Sequence, residues 1–352
     1  GSTNAAYQKL TQTVEEGTVV TFAKVPARTG YVNQGWSSKK NSEKATAKAK
    51  CTVNKNITLY AVQKKAVQLT FHRCDGSTWQ KTILAKGSSY SLPGVRDAEG
   101  YTFMGWSTKP MQSVSPQYEA EEKITVNGNV DLYAVVFNRT TETDLTEDQL
   151  PQVDIYKYKQ VIFVGDSRTE FMENVLTGMG ESATKNVKFV CSAGKGLDWF
   201  TTTGWAQLYS IVQHDSNSIL SKKTAVIFNF GVNDLSKSAD YAEYYNWIAP
   251  QLKSKGCELY FMSVNPVNRL MLPNAGRADR SEAAVRSFNQ YMKANLSSAY
   301  TYIDMYSYLK STGYSFASDH YGTGTVDDGL HYTTRTYKRI FAKCMDSLRV
   351  PA

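Results

Sequence analysis

Two textures of hydrophobic patterning divide this chain. Up to about residue 137, apolar and polar positions alternate in short runs such as Val67-Gln68-Leu69-Thr70-Phe71, broken by Gly, Asn and Asp. Period-two alternation with turn residues predicts β-strands joined by tight connections. From about residue 155 the apolar positions bunch instead, at 161–164, 187–190, 225–228, 259–262 and 300–303. Helix-length segments near 168–178, 198–213, 239–255, 280–296 and 333–348 separate or follow these runs. Short buried strands alternating with helices predict an α/β domain with a five-stranded parallel sheet covered on both faces, a three-layer α/β/α arrangement. In such a sheet functional groups collect at the carboxyl ends of the strands.

The first part contains an internal repeat. Gly30-Tyr31-Val32-Asn33-Gln34-Gly35-Trp36-Ser37 recurs 70 positions later as Gly100-Tyr101-Thr102-Phe103-Met104-Gly105-Trp106-Ser107. Downstream, Asn56-Ile57-Thr58-Leu59-Tyr60-Ala61-Val62 recurs as Asn129-Val130-Asp131-Leu132-Tyr133-Ala134-Val135. Trp36 and Trp106 are the expected core aromatic of each copy, with flanking glycines allowing tight turns. Residues 138–152 are polar and free of aromatics, which suits a linker. The expected division is 1–65 and 66–137 for the two β-rich repeats, 138–154 for the linker and 155–352 for the α/β domain. The repeated segments resemble the Listeria–Bacteroides (internalin B-repeat-like) surface repeat, with Val136 where that family usually has Trp and a looser match in the first copy. The resemblance implies small β-grasp-like modules on a secreted or cell-wall-associated bacterial protein.

Charge sharpens this division. Residues 1–140 hold 18 Lys+Arg against 10 Asp+Glu, whereas the remainder holds 22 of each, so the whole net charge of +8 lies in the N-terminal part. That asymmetry suggests attraction to an anionic polymer such as a wall polymer or acidic glycan. A merely soluble Lys-rich surface reads equally well. Nucleic acid is not expected, since no recognition motif accompanies the charge. No apolar run approaches the ~18 residues of a membrane span. The opening Gly1-Ser2 reads as an expression scar, so a removed signal peptide and an extracellular location are the expectation. The five cysteines (Cys51, Cys74, Cys191, Cys257, Cys344) are too scattered for a disulfide framework; a Cys51–Cys74 bridge is open but has no specific support. No zinc-ligand spacing occurs, so neither metal nor other cofactor is expected.

The chemistry-bearing residues fall at the predicted strand ends. Ser167 follows the first strand in Gly165-Asp166-Ser167-Arg168, where a helix begins. Gly194 and Gly196 follow the second strand in Cys191-Ser192-Ala193-Gly194-Lys195-Gly196, where backbone can approach a substrate and offer an N–H donor. Asn233 follows the third in Gly231-Val232-Asn233-Asp234, and Asn265 follows the fourth in Ser263-Val264-Asn265-Pro266-Val267. Asp328 and His331, in Asp328-Gly329-Leu330-His331, are expected in a loop before the last helix. A serine hydroxyl needs a base to take its proton, and the base needs a third group to fix its tautomer; Asp and His three apart can meet across one turn. Taken singly, Ser167 reads as a helix N-cap, Asn233-Asp234 as a turn and His331 as an ordinary half-buried histidine. Their joint placement along one sheet edge makes a hydrolytic site the stronger reading.

These four blocks, Gly-Asp-Ser, a glycine after the second strand, Gly-x-Asn-Asp and Asp-x-x-His, resemble those of the SGNH/GDSL hydrolases over residues 155–350. The resemblance implies a flavodoxin-like fold with Ser167 as nucleophile, His331 as base and Asp328 as its orienting acid. It implies an oxyanion hole from the Ser167 N–H, Gly196 and Asn233. Gly194 is a rival for Gly196 and Asp327 for Asp328, while Asp319-His320 and His214 fit no block. Arg168 stands where an apolar or small residue is usual, and can cap the helix or hold an anionic group; Arg168, Gly194 and Asn265 are the candidate substrate contacts. Trp199, Phe200, Trp205 and Tyr321 either stack on sugar rings or pack. With surface repeats alongside, the expectation is a serine esterase removing short acyl groups, O-acetyl above all, from a polysaccharide or cell-wall glycan. The alternatives are an acyltransferase using the same residues and an adhesion protein with a non-catalytic scaffold.

Overall fold

The computed structural model describes residues 10–154, 157–214, 223–318 and 327–348. They gather into two compact units, one running up to Ser91 and including Lys123–Tyr133, the other formed by Leu92–Glu122 and the chain from Ala134 onward.

The first unit is built of β-structure. Strands β1 (Thr18–Thr21) and β3 (Lys50–Val53) pair antiparallel, while β2 (Tyr31–Ser37) and β5 (Thr78–Ala85) pair antiparallel with the long β4 (Tyr60–His72). Strand β6 (Ser88–Ser91) pairs with β8 (Lys123–Val126), and the start of β9 (Val130–Asn138) runs parallel to β4 from Leu69↔Val130 to His72↔Tyr133. Strand β7 (Tyr101–Ser107), which belongs to the second unit, lies beside β9. The sequence repeat reappears in the bonding: the indole of Trp36 donates to Ala23 O at 2.7 Å and that of Trp106 to Pro93 O at 2.8 Å, each 13 positions upstream. The two copies differ in packing. Trp106 is fully buried, as expected, but Trp36 is only half-buried.

In the second unit the predicted apolar runs form a parallel sheet of β10 (Tyr158–Gly165), β11 (Val187–Cys191), β12 (Lys223–Asn229), β13 (Cys257–Met262) and β14 (Tyr300–Ile303), in the order β11-β10-β12-β13-β14. Alternate residues feed opposite faces. Ile162, Val164, Val226, Phe228 and Phe261 pack beneath helices α2 (Trp205–His214), α3 (Ser238–Ser254) and α4 (Glu282–Asn295). Val161, Phe163, Ala225, Ile227 and Tyr260 pack beneath α1 (Ser167–Met179), α5 (Met305–Thr312) and α6 (Thr334–Ser347). Strands buried on both faces need apolar residues at every position, which is why they appear as unbroken runs.

Two sequence expectations are corrected, and one open possibility is closed. Asp328 and His331 lie not in a loop but in strand β16 (Asp327–Tyr332), which pairs antiparallel with β15 (Phe316–Ser318). The polar segment 138–152 is no free linker: Glu142 is buried against Ser315, Thr336 and Arg339, and Leu150 and Val153 enter the core. All five cysteines are free, so Cys51 and Cys74 do not pair.

Candidate active site

Parallel register places Gly165 of β10 between Cys191 of β11 and Asn229 of β12, so the loops after all three strands open on one sheet edge. Ser167 starts α1. The N-cap is Asp166, whose carboxylate accepts the Arg168 N–H at 3.0 Å. Capping by its neighbour leaves the Ser167 hydroxyl free for another partner. Burial pushes the Asp166 carboxyl up to about 6.

That partner is His331. Its Nε2 lies 2.9 Å from Ser167 Oγ, and its Nδ1 lies 2.5 Å from Asp328 Oδ2. Asp328 can only accept when ionised, so Nδ1 carries the hydrogen and Nε2 is left to accept from the serine. Asp328 Oδ1 accepts the N–H groups of Leu330 (2.8 Å) and His331 (2.7 Å), which fixes the carboxylate from the backbone side. All three side chains are buried. Burial holds the imidazole below its ordinary pKa, outweighing the Asp328 charge, and the cations Arg168 and Arg277 push the same way. For Asp328 burial acts upward, but the hydrogen bond from His331 and the two backbone donors bring its carboxyl below the usual range. At neutral pH the site therefore holds a carboxylate and a neutral imidazole. The Phe171 ring packs on the imidazole at 4.5 Å between centroids.

Among the described residues, the backbone N–H groups of Ser167 and Gly196 donate to no protein acceptor. Gly196 is required by space: a Cβ there would run into the Asp234 carboxylate. Asp234 is fixed in turn by donors from Leu197 N (2.9 Å) and Tyr241 Oη (2.7 Å). Gly194 has a different reason, a φ of +70° with open space around it. Asn233 donates from Nδ2 to Lys195 O at 2.8 Å, leaving its second amide hydrogen. Its Oδ1 accepts from Arg280 at 2.8 Å, and Arg280 also donates to Val232 O at 2.6 Å. Arg277 reaches Asp328 Oδ2 at 3.5 Å. Sequence reasoning missed both arginines. They act across about fifty residues of chain, and no local pattern separates them from surface arginines.

The structure separates the remaining candidates. Arg168 does not face a substrate: buried, it donates to Leu330 O, Asn265 O and Pro266 O at 2.9–3.0 Å. One N–H from each guanidinium nitrogen is taken by a carbonyl, and the side chain ties β16 to the loop after β13. Asn265 is also buried, and its side-chain amide has no partner among the described residues. Asp327 meets Arg139 rather than the imidazole. Phe200 is fully buried, and Trp199 and Trp205 pack against the core. Asp319, His320, Tyr321 and the His214 side chain lie outside the described residues. Among the described residues no cluster of three or more His, Cys, Asp or Glu side chains is arranged to hold a metal ion.

The Listeria–Bacteroides repeat domain matches residues 1–62 and 68–135. No curated protein sequence matches. Solved structures that align with the chain include a Bacteroides fragilis protein provisionally assigned as an acylhydrolase (16% identity, 57% of this chain and 92% of that one, TM-score 0.37). An acetyl xylan esterase, AlAXEase, aligns at 10% identity over 54% of this chain and all of that one (TM-score 0.36). So does the C-terminal catalytic domain of the Streptococcus pneumoniae peptidoglycan O-acetyltransferase A, at 15% identity over 54% and 92% (TM-score 0.34). The GDSL-like Lipase/Acylhydrolase profile matches residues 161–344, just over half of the chain and all of the sheet-edge residues described above, and the chain belongs to that family.

Proposed function

We propose that this acylhydrolase is a serine esterase in which Ser167, His331 and Asp328 form the catalytic triad. The observation that carries this reading is the continuous Ser167–His331–Asp328 hydrogen-bond chain. Ser167 Oγ attacks the ester carbonyl carbon as His331 Nε2 takes its proton, forming a tetrahedral oxyanion. The N–H groups of Ser167 and Gly196 and the spare Asn233 amide hydrogen stabilise that charge. His331 returns the proton to the departing alcohol. Water then attacks the acyl-enzyme with His331 again as base, releasing the acid and restoring Ser167.

The substrate assigned is a short acyl ester, O-acetyl above all, on a polysaccharide or cell-wall glycan, and the enzyme works outside the cell or on its wall. Two features support this. Surface-type repeats occupy the first part of the chain, and nearly all of the chain's positive excess sits in them, which would hold the enzyme near an anionic polymer. Among the described residues no helix is long and apolar enough to cross a membrane. Asn265 is assigned to polar recognition: an unpaired buried amide costs about 1–3 kcal/mol, which a substrate hydroxyl would recover. Aromatic stacking has no part in the reading, because Trp199, Phe200 and Trp205 are packing residues. The test is acetate release from a panel of O-acetylated polysaccharides by wild type and Ser167→Ala. Release by the wild type alone supports the assignment. Transfer of acetyl to an added glycan without free acetate makes the protein a transferase, and no release from any of them removes the glycan substrate.

A further inference from the structure

The strand that carries Asp328 and His331 is not part of the main sheet. It belongs to the two-stranded β15–β16 pair, so the five-stranded framework does not hold it in place. Besides Arg168 on Leu330 O and Arg277 on Asp328, two further connections grip it, one on each side of Asp328, and both lead to the same buried carboxylate. On one side Asp327 Oδ2 accepts from Arg139 at 2.6 Å, and Arg139 bonds Asp97 Oδ2 at 2.8 Å and Thr102 Oγ1 at 2.9 Å. On the other side Gly329 O accepts from the Asn268 N–H at 2.9 Å, and the Asn268 amide donates to Asp97 Oδ1 at 2.8 Å and Val95 O at 3.1 Å. Asp97 is fully buried and also accepts from Phe103 N at 3.0 Å. Val95, Asp97, Thr102 and Phe103 all belong to the second repeat, and Arg139 directly follows it.

We infer that the Leu92–Glu122 segment of the second repeat, which lies in the same compact unit as the site, is part of the catalytic apparatus: Arg139, anchored on Asp97, is a positioning residue that fixes the strand bearing Asp328 and His331. The inference rests on the triad reading. A planar guanidinium suits this role because it engages Asp97, Thr102 and Asp327 at once, from fixed directions. The grip falls on the residue next to the catalytic carboxylate, so its loss shifts the base relative to the serine rather than the substrate relative to the site. Loss should therefore appear in kcat and spare KM.

The experiment measures kcat and KM on p-nitrophenyl acetate for full-length wild type, Ser167→Ala, Arg139→Gln, Asp327→Asn and the Arg139→Gln/Asp327→Asn double variant. For every variant that keeps Ser167, kcat is divided by the concentration of sites titrated with a fluorophosphonate, so that unfolded molecules are not counted; Ser167→Ala is expressed per total folded protein. Arg139→Gln is expected to lower kcat roughly ten- to a hundred-fold with KM within about two-fold, the effect of a small misplacement of catalytic groups. The double variant should be no slower than the slower single variant, since Arg139 acts through Asp327. A kcat for Arg139→Gln within about two-fold of wild type, or losses that multiply in the double variant, overturns the inference. Wild type no faster than Ser167→Ala is a separate outcome: it overturns the triad reading, and this inference with it.

Discussion

At the scale of single residues, the site depends on which species His331 and Asn233 present. His331 must be neutral to take the serine proton, and burial disfavours its charged form, lowering its pKa below the ordinary 6.5. Activity should therefore be full above that lowered pKa and fall as pH drops through it. A kcat/KM–pH profile should show an acid limb with its midpoint under 6.5; a midpoint above 6.5 would mean that the Asp328 charge dominates instead. Asn233 is governed by Arg280, whose donation to Oδ1 sets which end of the amide is available as a donor. Arg280→Met should cost about as much as losing one oxyanion donor, roughly 10²–10³ in kcat with KM little changed. Steady-state kinetics of that variant check this, and a loss confined to KM would place Arg280 in substrate binding instead.

At the scale of elements, the sheet was legible because its strands are buried on both faces and so appear as unbroken apolar runs at 161–164, 187–190, 225–228, 259–262 and 300–303. Each of the five anticipated helices has a counterpart, although the one expected over 198–213 is built from a helical turn at Leu197–Trp199, a π-helical turn at Phe200–Gly204 and α2. Helix α5 escaped notice because eight residues span barely two turns, too few to show a period. Strand β16 escaped it because Asp327-Asp328-Gly329 reads as a turn, and the segment is held extended by its pairing with β15 and by long-range bonds from Arg168, Arg139 and Asn268. Gly196 was legible as a residue type, but its reason, the Asp234 carboxylate against its α-carbon, was not. Gly196→Ala should displace Asp234 and disturb the backbone N–H beside it. Activity is expected to fall by at least about ten-fold with little change in Tm, as for a site perturbed without loss of core. Thermal melts and kinetics on the same sample check this, and unchanged activity would remove Gly196 from the oxyanion hole.

At the scale of the whole molecule, the compact unit bearing the site includes Leu92–Glu122, which sequence similarity alone assigns to the second repeat. Lys310 of α5 shows how that segment is joined. Its buried ammonium donates to Met104 O at 2.8 Å and pairs with Glu119 at 2.9 Å and Glu282 at 3.1 Å. Burial disfavours the charge on Lys310, but Glu282 and Glu119 more than offset that and raise its pKa. Removing the cation would leave two carboxylates in a low-dielectric interior, so Lys310→Met should destabilise this unit by about 3–5 kcal/mol. Denaturant unfolding followed by tryptophan fluorescence measures it, and a change under about 1 kcal/mol would show that the carboxylates find water or protons cheaply.

The account as a whole stands on Ser167 as nucleophile, and the most direct measurement is hydrolysis of p-nitrophenyl esters of increasing chain length by wild type and Ser167→Ala. The predicted result is turnover of the acetate that declines with acyl length and is lost in the variant. Equal turnover by Ser167→Ala, or none by the wild type at any chain length, would contradict it.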